Sequence, residues 1–210
     1  SCRGSSRGGR GLVGGMSNTM MSTMMNTPLG VKTLHRFGAR HFSASRVGDY
    51  DGQQIYWRSY REIDASSARL AHALKRLGIV PGDRVGTFMW NSTQHLETYL
   101  AVPSLGAALH TLNCRLSAEH LAYIINHAAD RFLILDERLV DSFLPVLPLV
   151  PDLEHVIVSG GGDNAIAALN DPRAVSWESL LRDAEGAYPW PEPEENAAAG
   201  ICYTSGTTGN

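Results

Sequence analysis

The run Ile201-Cys202-Tyr203-Thr204-Ser205-Gly206-Thr207-Thr208-Gly209-Asn210 concentrates more chemistry-bearing residues than any other part of the chain. An apolar stretch, Ala198–Tyr203, leads into a loop of hydroxyls and glycines. Gly206 and Gly209 allow backbone dihedrals closed to other residues and a close approach to a ligand, so that consecutive amides can converge on phosphate oxygens. Thr204, Ser205, Thr207 and Thr208 add hydroxyl donors. The composition suits a polyphosphate. It is not a Walker A loop, because the spacing G-x-x-x-x-G-K-[ST] is absent. On residue types alone, an ordinary Ser/Thr/Gly turn after a strand is the commoner reading.

Other groups invite chemistry less. His95-Leu96-Glu97 has the H-x-E half of a zinc deaminase signature, but no P-C-x-x-C follows, and a helix face accounts for it. His120 and His127 fall two turns apart on one predicted helix, too far for a usual His-pair ligand spacing; solvated or core histidines fit better. Ser205 lacks a G-x-S-x-G elbow, so a phosphate donor is preferred to a nucleophile. Gly160-Gly161-Gly162 follows a strand without the G-x-G-x-x-G spacing and without a helix start, and reads as a loop. Cys114 reads as a buried structural thiol near the substrate region. No metal site is expected.

A repeated alternation of strands and helices must carry the loop. Asp51-Gly52 between Val47–Tyr50 and Gln54–Trp57 predicts a hairpin. Ser59 and Glu62 have capping-box spacing, and Ile63, Leu70, Leu74 and Leu77 recur at helical intervals until Gly78 and Pro81 end the helix. Beyond Gly82-Asp83, strands are expected at Val85–Trp90, Ala107–Leu112, Phe132–Leu135 and His155–Val158. Helices are expected at Thr93–Leu105, after Ser117 (burying Leu121, Ile124, Ile125 and Ala128), at Val140–Leu147 and at Trp177–Ala184. Ser159 to Pro172 reads as a Gly/Asn/Asp-rich loop, and Pro189–Glu195 as an extended acidic linker. Ala198–Tyr203 is the last strand. Such alternation implies parallel pairing with right-handed crossovers, an α/β fold with a doubly wound parallel sheet.

The bulk properties narrow the class. The 210 residues carry a formal net charge of −3, which gives nucleic acid no basic surface. No uninterrupted apolar stretch of about 18 residues is present, so no transmembrane helix is expected. Cys2, Cys114 and Cys202 are odd in number, far apart and free of any CxxC pair. That argues against a disulfide framework and for a reducing compartment, most simply the cytoplasm. From Ser1 to Gly48 no acidic residue occurs, while Arg3, Arg7, Arg10, Lys32, Arg36, Arg40 and Arg46 are basic. A mitochondrial transit peptide has this bias, but the density of glycine opposes the amphipathic helix it needs; sequence preceding a start at Met16 is preferred. The Met cluster from Met16 to Met25 belongs to the same leader. Residues 1–27 are therefore expected to be disordered, and 28–210 to form the folded part.

The whole string YTSGTTGN resembles the signature of the adenylate-forming (AMP-binding) superfamily, whose members include acyl-CoA synthetases, peptide-synthetase adenylation domains and luciferases. Leu77-Gly78-Ile79-Val80-Pro81-Gly82-Asp83-Arg84-Val85, Trp90-Asn91, GAALHTLNCR (Gly106–Arg115), HLAYIINHAAD (His120–Asp130) and Cys202 resemble the medium- to long-chain fatty acyl-CoA synthetase branch. The likeness runs from about Val31 to Asn210. It implies the N-terminal part of an adenylation domain, with Thr204, Ser205, Gly206, Thr207, Thr208 and Gly209 holding the β- and γ-phosphates of ATP. It also implies Mg2+, coenzyme A and a fatty acid as reaction partners, and ligation of acid to thiol through an acyl-adenylate. An aryl or short-chain acid, or a nucleotide-binding fragment without catalysis, are the alternatives. The family signature continues with Pro-Lys-Gly, which is absent here. The catalytic residues and acyl pocket are accordingly expected beyond Asn210, and the 210-residue chain alone is expected to be inactive, because a loop at a chain terminus lacks preorganised donors. The resemblance leaves oligomeric state and chain-length preference open.

Overall fold

The computed structural model describes Thr23 and residues 28–204. Helix α1 (Val31–His41) comes first and was not anticipated by the sequence reading. Its only buried residue is His35, whose Nε2 lies 3.1 Å from Asp64 Oδ1, within ion-pair distance but outside hydrogen-bond geometry. The His35 ring also packs edge-on against Trp190 at 5.7 Å. Tertiary contacts, rather than a broad apolar stripe, hold this helix.

The expected hairpin forms from β1 (Arg46–Tyr50) and β2 (Ile55–Ser59), antiparallel, with Tyr50 opposite Ile55. Asp51 Oδ1 accepts the amides of Gln53 and Gln54, each at 2.8 Å, and so closes the turn. Helix α2 (Tyr60–Arg76) starts at the expected capping box. The Ser59 hydroxyl accepts the Glu62 amide, and the Glu62 carboxylate accepts the Ser59 amide at 2.7 Å.

The remaining strands are β3 (Arg84–Phe88), β4 (Ala108–Thr111), β5 (Phe132–Asp136), β6 (His155–Ser159), β7 (Ala174–Ser176) and β8 (Gly200–Ile201). They form one sheet in the order β7-β6-β5-β3-β4-β8, and every pair is parallel. The connecting helices are α3 (Thr93–Ser104), α4 (Ala118–Ala128), α5 (Val140–Phe143), α6 (Gly162–Leu169) and α7 (Trp177–Leu181). Alternate strand residues feed opposite cores, as the strand period of two requires. Phe132 and Ile134 pack with Leu70, Leu74, Ala101, Val102 and Trp177 from α2, α3 and α7. Leu133 and Leu135 pack with Leu121, Ile125, Phe143 and Leu169 from α4, α5 and α6. Helices on both faces of an all-parallel sheet make the doubly wound α/β arrangement that the strand–helix alternation predicts.

Strand β7 was not expected, and three of the expected segments differ from expectation. The helix predicted over Val140–Leu147 is a single turn, α5, flanked by 3-10 turns at Glu137–Leu139 and Leu147–Leu149. Pro145 and Pro148 remove the amide donors that a continuous helix needs. The triple glycine, read as a loop without a helix start, in fact opens α6, with φ of +89°, +67° and +52° at Gly160, Gly161 and Gly162. A β-carbon on Gly161 would lie 2.5 Å from Glu137 Oε2 and 2.8 Å from Ala165 Cβ, so the turn closes only with glycine there. The last strand spans two residues rather than Ala198–Tyr203.

Candidate functional site

Strand β8 determines where the hydroxyl-rich loop begins. It pairs with β4 through Leu109↔Gly200 and His110↔Ile201, and the Leu109 amide donates to Ala199 O at 3.1 Å. A β-carbon on Gly200 would sit 3.3 Å from the Leu109 carbonyl oxygen, tight for any larger residue. Because the sheet is all parallel, the chain leaves β8 at the carboxyl edge shared by every strand, the edge where open α/β sheets bind ligands. Cys202, Tyr203 and Thr204 follow there, all exposed. Of the expected phosphate-binding residues, only Thr204 lies among the described residues, three positions after β8; Ser205, Gly206, Thr207, Thr208 and Gly209 lie outside them.

Tyr203 gathers a polar cluster that the sequence reading did not assemble. Its hydroxyl shares a 2.5 Å hydrogen bond with His127 Nδ1, and its ring lies 5.1 Å from that of His110. His127 in turn stacks on Tyr123. His110 sits in register with Gly86 of β3, and its Nδ1 shares a 2.7 Å hydrogen bond with Asp130 Oδ2. Asp130 Oδ2 lies 3.0 Å from where a Gly86 β-carbon would be, so glycine makes the room. The side chains of His110 and Asp130 are wholly buried. His110 Nε2 and Asp130 Oδ1 have no hydrogen-bond partner among the described residues. Burial raises the pKa of Asp130 above the usual carboxylate value, against the lowering effect of the His110 bond. Burial likewise raises that of Tyr203, aided by the negative charge of Asp130.

His127, expected like His120 to be a solvated or core histidine, lies at the start of the loop, bonded to Tyr203. His120 stays apart, sharing a 3.0 Å bond with the capping Ser117 hydroxyl. His110 and Asp130 had one visible signal each: a lone histidine inside an apolar strand, and an aspartate straight after a helix C-terminus.

Elsewhere at the carboxyl edge, His95 bonds Thr87 Oγ1 at 3.1 Å, and burial lowers its pKa. Glu97 is 1 % exposed and pairs with Arg58 of the hairpin, which also donates to Ser66 at 2.6 Å. Burial pushes the Glu97 pKa up to about 7, more than Arg58 pulls it down. The H-x-E pair therefore lies inside a helix-packing contact, as a helix-face reading requires. Cys114 is half-buried, with its pKa raised by burial. Among the described residues no three His, Cys, Asp or Glu side chains converge to hold a metal ion. No described helix is long and apolar enough to cross a membrane.

The chain matches the family model described as "AMP-binding enzyme" over residues 37–210. It is 36% identical over 197 residues to a medium-chain-fatty-acid–CoA ligase of Ectopseudomonas oleovorans, covering 91% of this chain and 35% of that protein. A 3-methylmercaptopropionyl-CoA ligase of Ruegeria lacuscaerulensis is also 36% identical, with 91% and 35% covered. A long-chain-fatty-acid–CoA ligase of Thermus thermophilus is 35% identical, with 91% and 34% covered. The chain thus spans about a third of the length of the curated relatives it matches. In fold it resembles the crystal structure of an anthranilate CoA ligase in complex with anthranoyl-AMP, with a TM-score of 0.75 at 19% identity over 88% of this chain and 34% of that one. A glycine- and hydroxyl-rich signature leaving the edge strand of a parallel sheet, and a family match that takes in both, place the chain in the AMP-binding enzyme family.

Proposed function

We propose that this chain is the N-terminal part of an acyl-CoA ligase and supplies its phosphate-binding loop. The carrying observation is the string YTSGTTGN in the sequence, whose first residues, Tyr203 and Thr204, follow Cys202 where the chain leaves β8 at the carboxyl edge of the sheet. In the proposed reaction a carboxylate oxygen attacks the α-phosphorus of ATP, and the bond to pyrophosphate breaks to leave an acyl-adenylate. The thiol of coenzyme A then attacks the acyl carbon, loses its proton, and displaces AMP. Activation is the physical purpose, since a carboxylate is a poor electrophile and a mixed anhydride a good one.

Charge builds on the phosphates in the first step, and aligned donors at that position stabilise the transition state. Thr204 and Ser205, with the backbone amides through Gly209, are the donors assigned to the β- and γ-phosphates. ATP would arrive as its magnesium complex; the described residues offer the ion no cluster, and no step is assigned to a protein-held metal.

A medium- or long-chain fatty acid is the substrate class we favour. Support comes from the relatives in Ectopseudomonas oleovorans and Thermus thermophilus. The 3-methylmercaptopropionyl-CoA ligase relative keeps a short-chain acid as the second reading. The acyl pocket and the catalytic groups are proposed to come from outside residues 1–210.

The test is ATP–pyrophosphate exchange by the complete reading frame with a panel of carboxylic acids. Exchange that depends on medium- or long-chain acids supports the proposal. Exchange with short or aryl acids alone replaces the substrate class, and no exchange with any acid overturns the activity. In the active protein, Ser205→Ala should lower kcat/KM for ATP by roughly 10- to 100-fold.

A further inference from the structure

The loop assigned to phosphate needs a fixed starting point, and Tyr203, the residue before Thr204, is held from two sides. One hold is the 2.5 Å bond of its hydroxyl to His127, which belongs to α4 and so to the helical layer rather than the sheet. The other is the tilted packing of its ring against His110 at 5.1 Å, in a strand whose neighbour is β8 itself. His110 cannot easily give way. Its Nδ1 is tied to Asp130 at 2.7 Å, both side chains are wholly buried, and Gly86 is kept bare beneath them.

A buried pair of this kind, with one nitrogen and one carboxylate oxygen lacking partners among the described residues, costs stability that an apolar pair would not. Its location against Tyr203 gives that cost a use. The Tyr203 ring packs beside His110, which burial and the bond to Asp130 hold in place. The contacts of both histidines with the described start of the loop are made to Tyr203.

We propose that His127 and the buried His110–Asp130 pair are positioning residues that hold Tyr203 and thereby set the start of the phosphate loop, so that ATP rather than the carboxylic acid senses their loss. This rests on the reading of residues 204–209 as the phosphate loop. None of the three is a catalytic residue, since none is assigned a contact with substrate. Displacing a loop by about 1 Å can cost around 100-fold in rate, which sets the scale of the effect.

The experiment compares Tyr203→Phe, His127→Ala and the double variant in the full-length protein. Three quantities are read: the Kd for MgATP by calorimetry, KM for ATP and for the acid in pyrophosphate exchange, and Tm. Both substitutions are mild, because Tyr203 and His127 are exposed enough to change without opening a cavity. Each single variant should raise the Kd and KM for ATP by about 5- to 20-fold, leave KM for the acid within about twofold, and leave Tm nearly unchanged. The double variant should be no worse than either single one, because both remove the same bond.

Additive losses overturn the proposal, as does a fall in Tm with ATP affinity intact. Asp130→Asn adds a probe of the buried pair, with the same ATP-selective loss expected. If the wild-type protein binds MgATP but exchanges with no acid, the ligase reading falls while the Kd values still decide the positioning role. If it binds no MgATP, both fall.

Discussion

Glu97 shows how burial and a charged partner compete within one residue. In the folded chain it holds its proton up to a pH of about 7, against 4.5 for an unburied glutamate. Between those values the folded state binds the extra proton. Its contribution to stability is therefore complete below 4.5 and is lost as pH rises through 7. At about 1.4 kcal/mol per pH unit, the change is roughly 3 kcal/mol across that window. Glu97→Gln mimics the protonated side chain at every pH. The stability of wild type minus that of the variant, from urea unfolding at pH 5 to 8, should decline as pH rises. A difference that grows with pH would mean that Arg58 keeps the carboxylate ionised, and that the ion pair outweighs burial.

At the scale of elements, the termini of α2 and α6 depend on different devices. Ser59→Ala removes one half of a capping box and should cost about 1 kcal/mol in unfolding free energy. Gly161→Ala meets both a left-handed φ of +67° and a 2.5 Å approach to Glu137 Oε2. A loss of about 2 kcal/mol or more is expected there, measured the same way, and a neutral effect would show that the Glu137 side chain simply swings aside. The contrast explains what could be read from sequence. Ser59 and Glu62 announce a helix because the device lies in side chains at a fixed spacing. Gly160 to Gly162 announce nothing but freedom, and that they start α6 is settled by packing against Glu137, a residue more than twenty positions earlier. The same division holds at the candidate site. YTSGTTGN was legible because its residue types and spacing are local, and the alternation of strands and helices foretold the doubly wound sheet. The seat of Tyr203 was not, because His110, His127 and Asp130 meet it only through strand pairing and the packing of α4. Helix α1 escaped for a related reason: its single buried residue is a histidine, which periodicity arguments do not count.

For the whole molecule, surface apolarity is the feature with consequences. Tyr50, Ile55, Tyr56 and Trp57, all on the hairpin, are at least half exposed, and Leu34, Phe37 and Phe42 add to them from and beside α1. An exposed apolar surface of this kind favours association. The 210-residue chain on its own should therefore self-associate at micromolar concentration, as read by light scattering or sedimentation. A monomer with a sharp two-state melt would refute this. The same chain is proposed to form no acyl-CoA by itself, and product detected by mass spectrometry would overturn that.

The placement of β8 carries a further consequence, one of timing. Strands β3 to β7 reach their places through short crossovers, and the chain then returns past α2, where Tyr188 packs on His72 at 4.7 Å, to add β8 at the far edge. Leu109 and Gly200 pair across 200 − 109 = 91 positions, so closing this contact is entropically slower than any other in the sheet. During synthesis or refolding the sheet should be assembled before β8 arrives, and His110 and Asp130 already buried against Gly86 when Tyr203 reaches them. Two adjacent amides can report the order. That of Ala108 donates to Asp83 of the early sheet at 2.8 Å, whereas that of Leu109 donates to Ala199. In pulsed hydrogen exchange Ala108 should gain protection first and Leu109 in a later phase, so that the loop proposed to hold phosphate acquires its footing last of all.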